Sequence, residues 1–414
     1  MHAAHVLSWI ISIVSIALML LRPKGIAEYI WISAGALLLV AVHLLPVANA
    51  VHAIREGLDV YLFLTGMMIL AELARYEGVF DWIADASIRH AAGSATRLFL
   101  LVYVAGTVVT VLLSNDATAV VLTPAVLAAV KRARIEPRPY LFACAFVANA
   151  ASFVLPVSNP ANLVIYGQKL PPLLPWVRIF LVPSMISIAI TFLCLRFLER
   201  KELRATVALP QQRVSLSRGG HVTLSGVAVA AVVLLAASAR GIPLGLPTFL
   251  VGMLALVLVA MRDRSALKAV LTHISWSVLP LVAGLFMIVE ALNLAGMLQL
   301  TQRGLVWLAH TPDGYGKMIA GAVAAMLSNV MNNLPVGLAG GTALQQMHSS
   351  GMLIHAVLIG VDLGPNLSVT GSLATILWLI ALRREGVEVT AMTFLKIGMI
   401  VMPVPLLLCL IALR

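Results

Sequence analysis

Long apolar runs separated by short charged segments fill almost the whole chain. Ten of them reach 17 residues or more and predict full membrane crossings: about 5–22, 29–48, 58–75, 138–168 and 176–198, then about 221–239, 245–261, 275–293, 352–382 and 391–412. A helix rises about 1.5 Å per residue, so such runs can cross a hydrocarbon core of roughly 30 Å. Two further apolar stretches, about 97–130 and 314–345, are interrupted in the middle by Asn-rich turns. Each is too long for one crossing, and each half is marginal for a full one. They predict re-entrant hairpins that enter and leave on the same side. The runs at 138–168 and 352–382 are interrupted by Pro and Gly and predict broken helices.

The pattern repeats. Gly66, Glu72 and Gly78 recur 218 residues later as Gly284, Glu290 and Gly296. Leu113-Ser114-Asn115 recurs 214 residues later as Leu327-Ser328-Asn329, and Ser158 and Ser372 each lie 44 residues beyond the serines of those triplets. Residues 1–198 and 221–414 are therefore expected to be two repeats of five crossings, each with a hairpin and a broken helix, joined by a cytoplasmic linker at 199–220. Five is odd, so the second copy is expected upside down. The fold class expected is an all-α integral membrane protein of two inverted repeats, an architecture that places a binding site near the bilayer midplane.

Composition agrees, with 61% hydrophobic and only 11% charged residues in 414, against roughly 25% charged in soluble chains. A surface this poor in charge needs lipid as its solvent. The longest polar stretch, Glu199 to Gly220, is too short for a soluble domain. No phosphate-binding G-x-x-x-x-G-K-[ST] loop occurs, which excludes a fused ATPase. The net charge of +11 reads as topology rather than nucleic-acid binding. With the hairpins re-entrant, one side collects about 20 of the 28 basic residues, including Arg75, Lys131, Arg138, the cluster from Arg196 to Arg218, Arg262, Arg264 and Arg383. That side should be the cytoplasm, which puts both termini in the periplasm of a bacterial inner membrane. Met1 to Leu21 has no basic leader or small-residue cleavage pattern and reads as a retained first span. Cys144, Cys194 and Cys409 lie in apolar segments without metal or disulfide spacing.

Polar residues inside such runs carry the candidate chemistry. Ser114, Asn115, Asp116 and Thr118 form the first hairpin tip, and Asn329, Asn332 and Asn333 the second. Ser158, Asn159 and Asn162 surround the first helix break; Asp362, Thr370, Ser372 and Thr375 surround its twin. Freed backbone groups at a break are tolerable only where they line a cavity or pack on protein. An intramembrane Asp costs roughly 2.5–3.5 kcal/mol by insertion scales, so Asp116 and Asp362 read as proton-coupling groups. Neither has an acidic counterpart in the other repeat, which has Val330 and Ala148 at those places. Glu72 and Glu290, near span ends, suit structural pairing more than proton handling. The segment Phe80 to Arg97 reads as an interfacial amphipathic helix.

At these residues the chain resembles the ArsB-type arsenite/antimonite efflux permeases of the ion transporter superfamily. The likeness is carried by Asn115-Asp116-Ala117-Thr118 with Leu122-Thr123-Pro124, by Ser158-Asn159 with Asn162, and by Met331-Asn332-Asn333-Leu334-Pro335. Asp362-Leu363-Gly364-Pro365 followed by Gly371-Ser372-Leu373-Ala374-Thr375-Ile376-Leu377-Trp378 is its most specific part. The chain departs from the family pattern at Ala117, Pro160 and Asn366. The resemblance implies export of trivalent arsenic or antimony hydroxide in exchange for protons, with no cofactor, and in some relatives a docked soluble arsenite-stimulated ATPase.

Arsenous acid is neutral at neutral pH, so amides, hydroxyls and helix ends can satisfy it. The alternatives are a sodium- or proton-coupled carrier of a dicarboxylate, citrate or Na⁺/H⁺ in the same superfamily, a channel, or an intramembrane hydrolase. An anionic substrate would favour a basic residue at a tip or break, and none lies in 114–124, 158–166, 328–342 or 362–380. No G-x-S-x-G or nucleophile–base arrangement supports a hydrolase. Because no cysteine sits at a tip or break to trap the metalloid, efflux is expected to survive replacement of all three by Ser. Metalloid export by normally expressed triple variant and wild type in the same cells checks this.

Overall fold

The computed structural model describes residues 2–167, 170–207, 214–309, 311, 315–346 and 351–413. Expected boundaries at 168, 208–213 and 314, and both terminal residues, lie outside them. The first half runs α1 (His2–Leu21), α2 (Glu28–Ala41), α3 (Val47–Glu56), α4 (Leu58–Tyr76), α5 (Val79–His90), α6 (Ala95–Leu112), α7 (Asn115–Ala117), α8 (Thr123–Arg132), α9 (Arg138–Ala150), α10 (Pro160–Tyr166) and α11 (Leu173–Leu198). The second runs α12 (Arg218–Ala239), α13 (Gly245–Ala260), α14 (Arg264–His273), α15 (Val278–Leu294), α16 (Met297–Ala309), α17 (Tyr315–Met331), α18 (Asn333–Gln346), α19 (Gly351–Leu363), α20 (Leu373–Arg384), α21 (Ala391–Val401) and α22 (Pro403–Ala412). No named strand occurs among the described residues; one isolated bridge joins Ser94 and Thr206.

The two halves follow one order of elements: three helices, a long helix, a short amphipathic one, a helix pair broken at a polar tip, then a helix broken by a 3₁₀ turn. The repeated residues have matching jobs. Gly78 (φ 71°) and Gly296 (φ 95°) adopt the left-handed backbone that turns α4 into α5 and α15 into α16. Gly66 and Gly284 allow close helix approach: a Cβ on Gly66 would lie 2.5 Å from the Thr248 backbone of α13, and one on Gly284 would lie 2.8 Å from Ile32 of α2. So α4 packs on α13 and α15 on α2, each half supplying the other's partner.

Among the described residues, six helical segments are long and apolar enough to cross a membrane, and the pair α3–α4, bent by 45°, makes a seventh. The other expected crossings, including the two expected to be broken, are not single long helices, for a physical reason. The segments at 138–166 and 351–384 are divided by 3₁₀ turns at Pro156–Ser158 and Gly364–Asn366, while α2 and α13 have only 14 and 16 residues. Two short amphipathic helices that the sequence pattern left unassigned between crossings, α3 and α14, precede α4 and α15, and α12 begins at Arg218, capped by Ser217.

Polarity is distributed for lipid. Leu181, Met185, Val232, Leu254 and Leu407 are exposed, whereas Asn149, Ser158, Asn162, Ser328, Asp362 and Asn366 are completely buried. Aromatic rings seal the interior, with Phe146 stacked on Phe394 at 4.8 Å and the Trp378 indole donating to Leu141 O at 3.2 Å. Gly252 faces Gly66 across the α4–α13 crossing, where a Cβ would meet Gly66 O at 2.8 Å. Gly66→Leu is therefore expected to destabilise the protein by about 1–3 kcal/mol. Thermal unfolding in detergent against an exposed control such as Gly304→Leu measures it.

Candidate functional site

Broken helices bring four helix beginnings together. The first hairpin stops at Leu113 and restarts at Asn115, with the Ser114 hydroxyl accepting from Ala117 N (3.2 Å) and Asn115 Oδ1 from Asp116 N (2.9 Å). A π-helical turn over Thr118–Leu122 then leads into α8. The second hairpin turns at Asn332, whose φ of 73° is one that Asn tolerates better than most residues. Asn333 then starts α18, its N–H donating to Gly371 O at 2.9 Å. Past the first break, Asn159 caps α10, accepting from Ala161 N at 3.0 Å. Past the second, Ser372 caps α20, its hydroxyl accepting from Thr375 N at 3.2 Å, and Thr375 Oγ1 accepts in turn from Ser372 N at 3.3 Å.

These ends surround a two-lobed cavity. The larger lobe, about 50 Å³, is walled by Leu64, Met67 and Glu72 of α4, Ser114, Asp116 and Val120 of the first hairpin, Pro160, and Ile274, Ser275 and Val278. The smaller, about 10 Å³, shares Leu64, Asp116, Pro160 and Val278 with it and adds Asn115, Asn159, Asn333 and Ser372. Hairpins and breaks of both halves thus meet at one point. No basic side chain lines either lobe among the described residues. The positive partial charge there comes from helix N-termini, and the one carboxylate common to both lobes is Asp116.

Of the residues singled out in the sequence, Ser114, Asn115, Asp116, Asn159, Asn333, Ser372 and Glu72 reach this cavity. The rest, Glu290 apart, lie behind it and bond to its surroundings. Asp362 accepts from Asn159 Nδ2 at 2.7 Å across the two halves. Asn162 Nδ2 donates to Ser152 O at 2.8 Å, and Ser158 Oγ to Val111 O at 3.3 Å. The Thr118 hydroxyl pairs with that of Thr110 at 2.8 Å. Asn329 donates to Gly364 O (2.9 Å) and accepts from Ser368 (2.7 Å), while Thr370 Oγ1 donates to Asn329 O (3.2 Å) and Asn332 Nδ2 to Thr370 O (3.3 Å). Thr375 serves the Ser372 cap. Glu72 is ion-paired to Arg75 at 2.6 Å, whereas Glu290 accepts from Asn49 at 2.9 Å and lies off the cavity.

Sequence reasoning missed Asn149. It sits fully buried in α9, donates to Asn366 Oδ1 at 3.0 Å and accepts from Ser372 Oγ at 3.4 Å, joining both breaks to the cavity wall. Its one signal was an amide inside the apolar run 139–151. Cys144 and Cys409 are buried away from the lobes, and Cys194 is half-buried on α11.

An all-helical chain with an apolar exterior and a cavity carrying polar groups between interrupted helices defines a multi-pass membrane transporter. A model of the citrate transporter family, CitMHS, matches residues 16–381, and the chain belongs to that family. It is 29% identical to the arsenical pump membrane protein of Yersinia enterocolitica, with 82% of each chain covered. It is 27% identical to one from Escherichia coli over 96% of this chain and 95% of that one. These relatives bear out the resemblance drawn from the motifs. The fold is similar to the crystal structure of the Alcanivorax borkumensis YdaH transporter, at a TM-score of 0.57 and 15% identity over 93% of this chain and 96% of that one.

Asn366→Leu would leave the buried Asn149 Nδ2 without its acceptor. A loss of about 1–3 kcal/mol is expected, and a double-mutant cycle with Asn149→Leu by thermal unfolding should return a coupling above about 0.5 kcal/mol.

Proposed function

We propose that this chain exports trivalent arsenic or antimony hydroxide from the cell in exchange for protons, by alternating access between two inverted repeats. The observation that carries the reading is the polar part of the cavity wall: amides, hydroxyls, helix N-termini and two carboxylates, Asp116 and the Arg75-paired Glu72, with no basic side chain and no thiol lining it among the described residues. Asn115 and Asn159 already spend their carbonyl oxygens on backbone N–H groups. The Asn115 amide N–H groups, and the one Asn159 amide hydrogen not given to Asp362, remain to donate to metalloid oxygens, and the Asp116 carboxylate is placed to accept from a metalloid hydroxyl. The size also fits. A water needs roughly 10–15 Å³ by this measure, so a lobe of about 50 Å³ holds roughly four water-sized atoms. Arsenous acid has four heavy atoms; citrate has thirteen.

Protons enter at Asp116, on the wall, and Asp362, one hydrogen bond behind it through Asn159. Neither forms an ion pair among the described residues, so neither charge is committed elsewhere. The reciprocal packing of α4 on α13 and α15 on α2 supports the inverted arrangement, and the clustering of basic residues supports periplasmic termini. A second reading, transport of citrate or another carboxylate, draws on the family's name and on the helix N-termini at the cavity. The missing basic partner argues against it.

Everted vesicles with an acid interior should take up arsenite, and Asp116→Asn should slow that uptake at least about tenfold, since a positioned proton-transfer group contributes roughly 10²–10⁴-fold. Wild-type vesicles that ignore arsenite but accumulate citrate would establish the second reading instead.

A further inference from the structure

A larger cavity, of about 520 Å³, lies away from the transport site, where the end of α4 meets the start of α12 and the end of α13. Its wall carries two acids and two bases, but they are not equally available. Glu77 accepts from the Ser217 hydroxyl at 2.7 Å and is pressed onto Gly219 at the start of α12, where a side chain would meet its carboxylate. Asp263 accepts from Tyr76 Oη (2.6 Å), Ser265 N (2.9 Å) and Ser265 Oγ (2.6 Å). The bonds from Ser265 and then Tyr76 hold its carboxyl below the usual range. Both acids are thus committed to fixing helix ends. Arg218 and Arg262 are exposed, and neither forms an ion pair among the described residues. What the wall still offers is guanidinium donors, with Val222 and Val259 beside them.

We infer that this cavity binds the phosphate of an anionic phospholipid headgroup. A guanidinium forms paired hydrogen bonds with phosphate oxygens, and basic pockets between membrane helices on the cytoplasmic side suit acidic lipids. Arg218 and Arg262 belong to the crowded basic side of the chain. The valines distinguish a lipid from free phosphate, because glycerol and the first acyl methylenes need an apolar wall. Bound there, the lipid ties α12 and α13 to the end of α4. The inference is independent of the transported solute.

Native mass spectrometry of the purified full chain, offered phosphatidylglycerol or phosphatidylcholine, tests it. Wild type should retain phosphatidylglycerol preferentially. Arg218→Gln and Arg262→Gln should each lower retention about fivefold, the factor for roughly 1 kcal/mol per basic residue at a membrane surface. A control Arg383→Gln/Arg384→Gln, basic on the same side but off the cavity, should leave retention unchanged. Equal retention of both lipids by wild type overturns the inference without any variant. So does an equal loss in the control, or binding of inorganic phosphate at this site without lipid preference.

Discussion

Every interruption of a helix within lipid strands backbone groups that water cannot reach, and the rest of this structure depends on how they are satisfied. Amide and hydroxyl side chains do it. Asn162 serves the carbonyl of Ser152, Ser158 that of Val111, Asn329 that of Gly364, and Thr370 that of Asn329. Once these bonds form, the helices that restart after each break have fixed origins. Those origins face one another, and the cavity is the space between them. Its polarity follows from the breaks.

The two halves share a scaffold and differ in chemistry. Gly66 and Gly284 play one packing role, and Gly78 and Gly296 one turning role. Asp116 faces the cavity where the other half has Val330, and Asp362 stands behind it where the other half has Ala148. The related acids Glu72 and Glu290 also diverge, one paired to an arginine beside the cavity and the other to an amide away from it. Asn149 and Asn366, with Asn159 and Asp362, connect the breaks across the halves by hydrogen bonds.

The amino-acid order by itself determined the solvent, the repetition and the places where the chain breaks. These are local properties: apolar run length, glycine and proline positions, and polar residues inside an apolar segment. Hence Ser114, Asn115, Asp116, Asn159, Asn333 and Ser372 could be named in advance. Tertiary structure alone decided which polar groups face the cavity and which are spent behind it. Asn162, Asn329 and Thr370 look no different in sequence from Asn159 and Asn333, because a buried amide serves equally as wall or as brace until its partner is known. Asn149 was illegible for the same reason, since its partners lie 217 and 223 residues away. Only folding sets such distances.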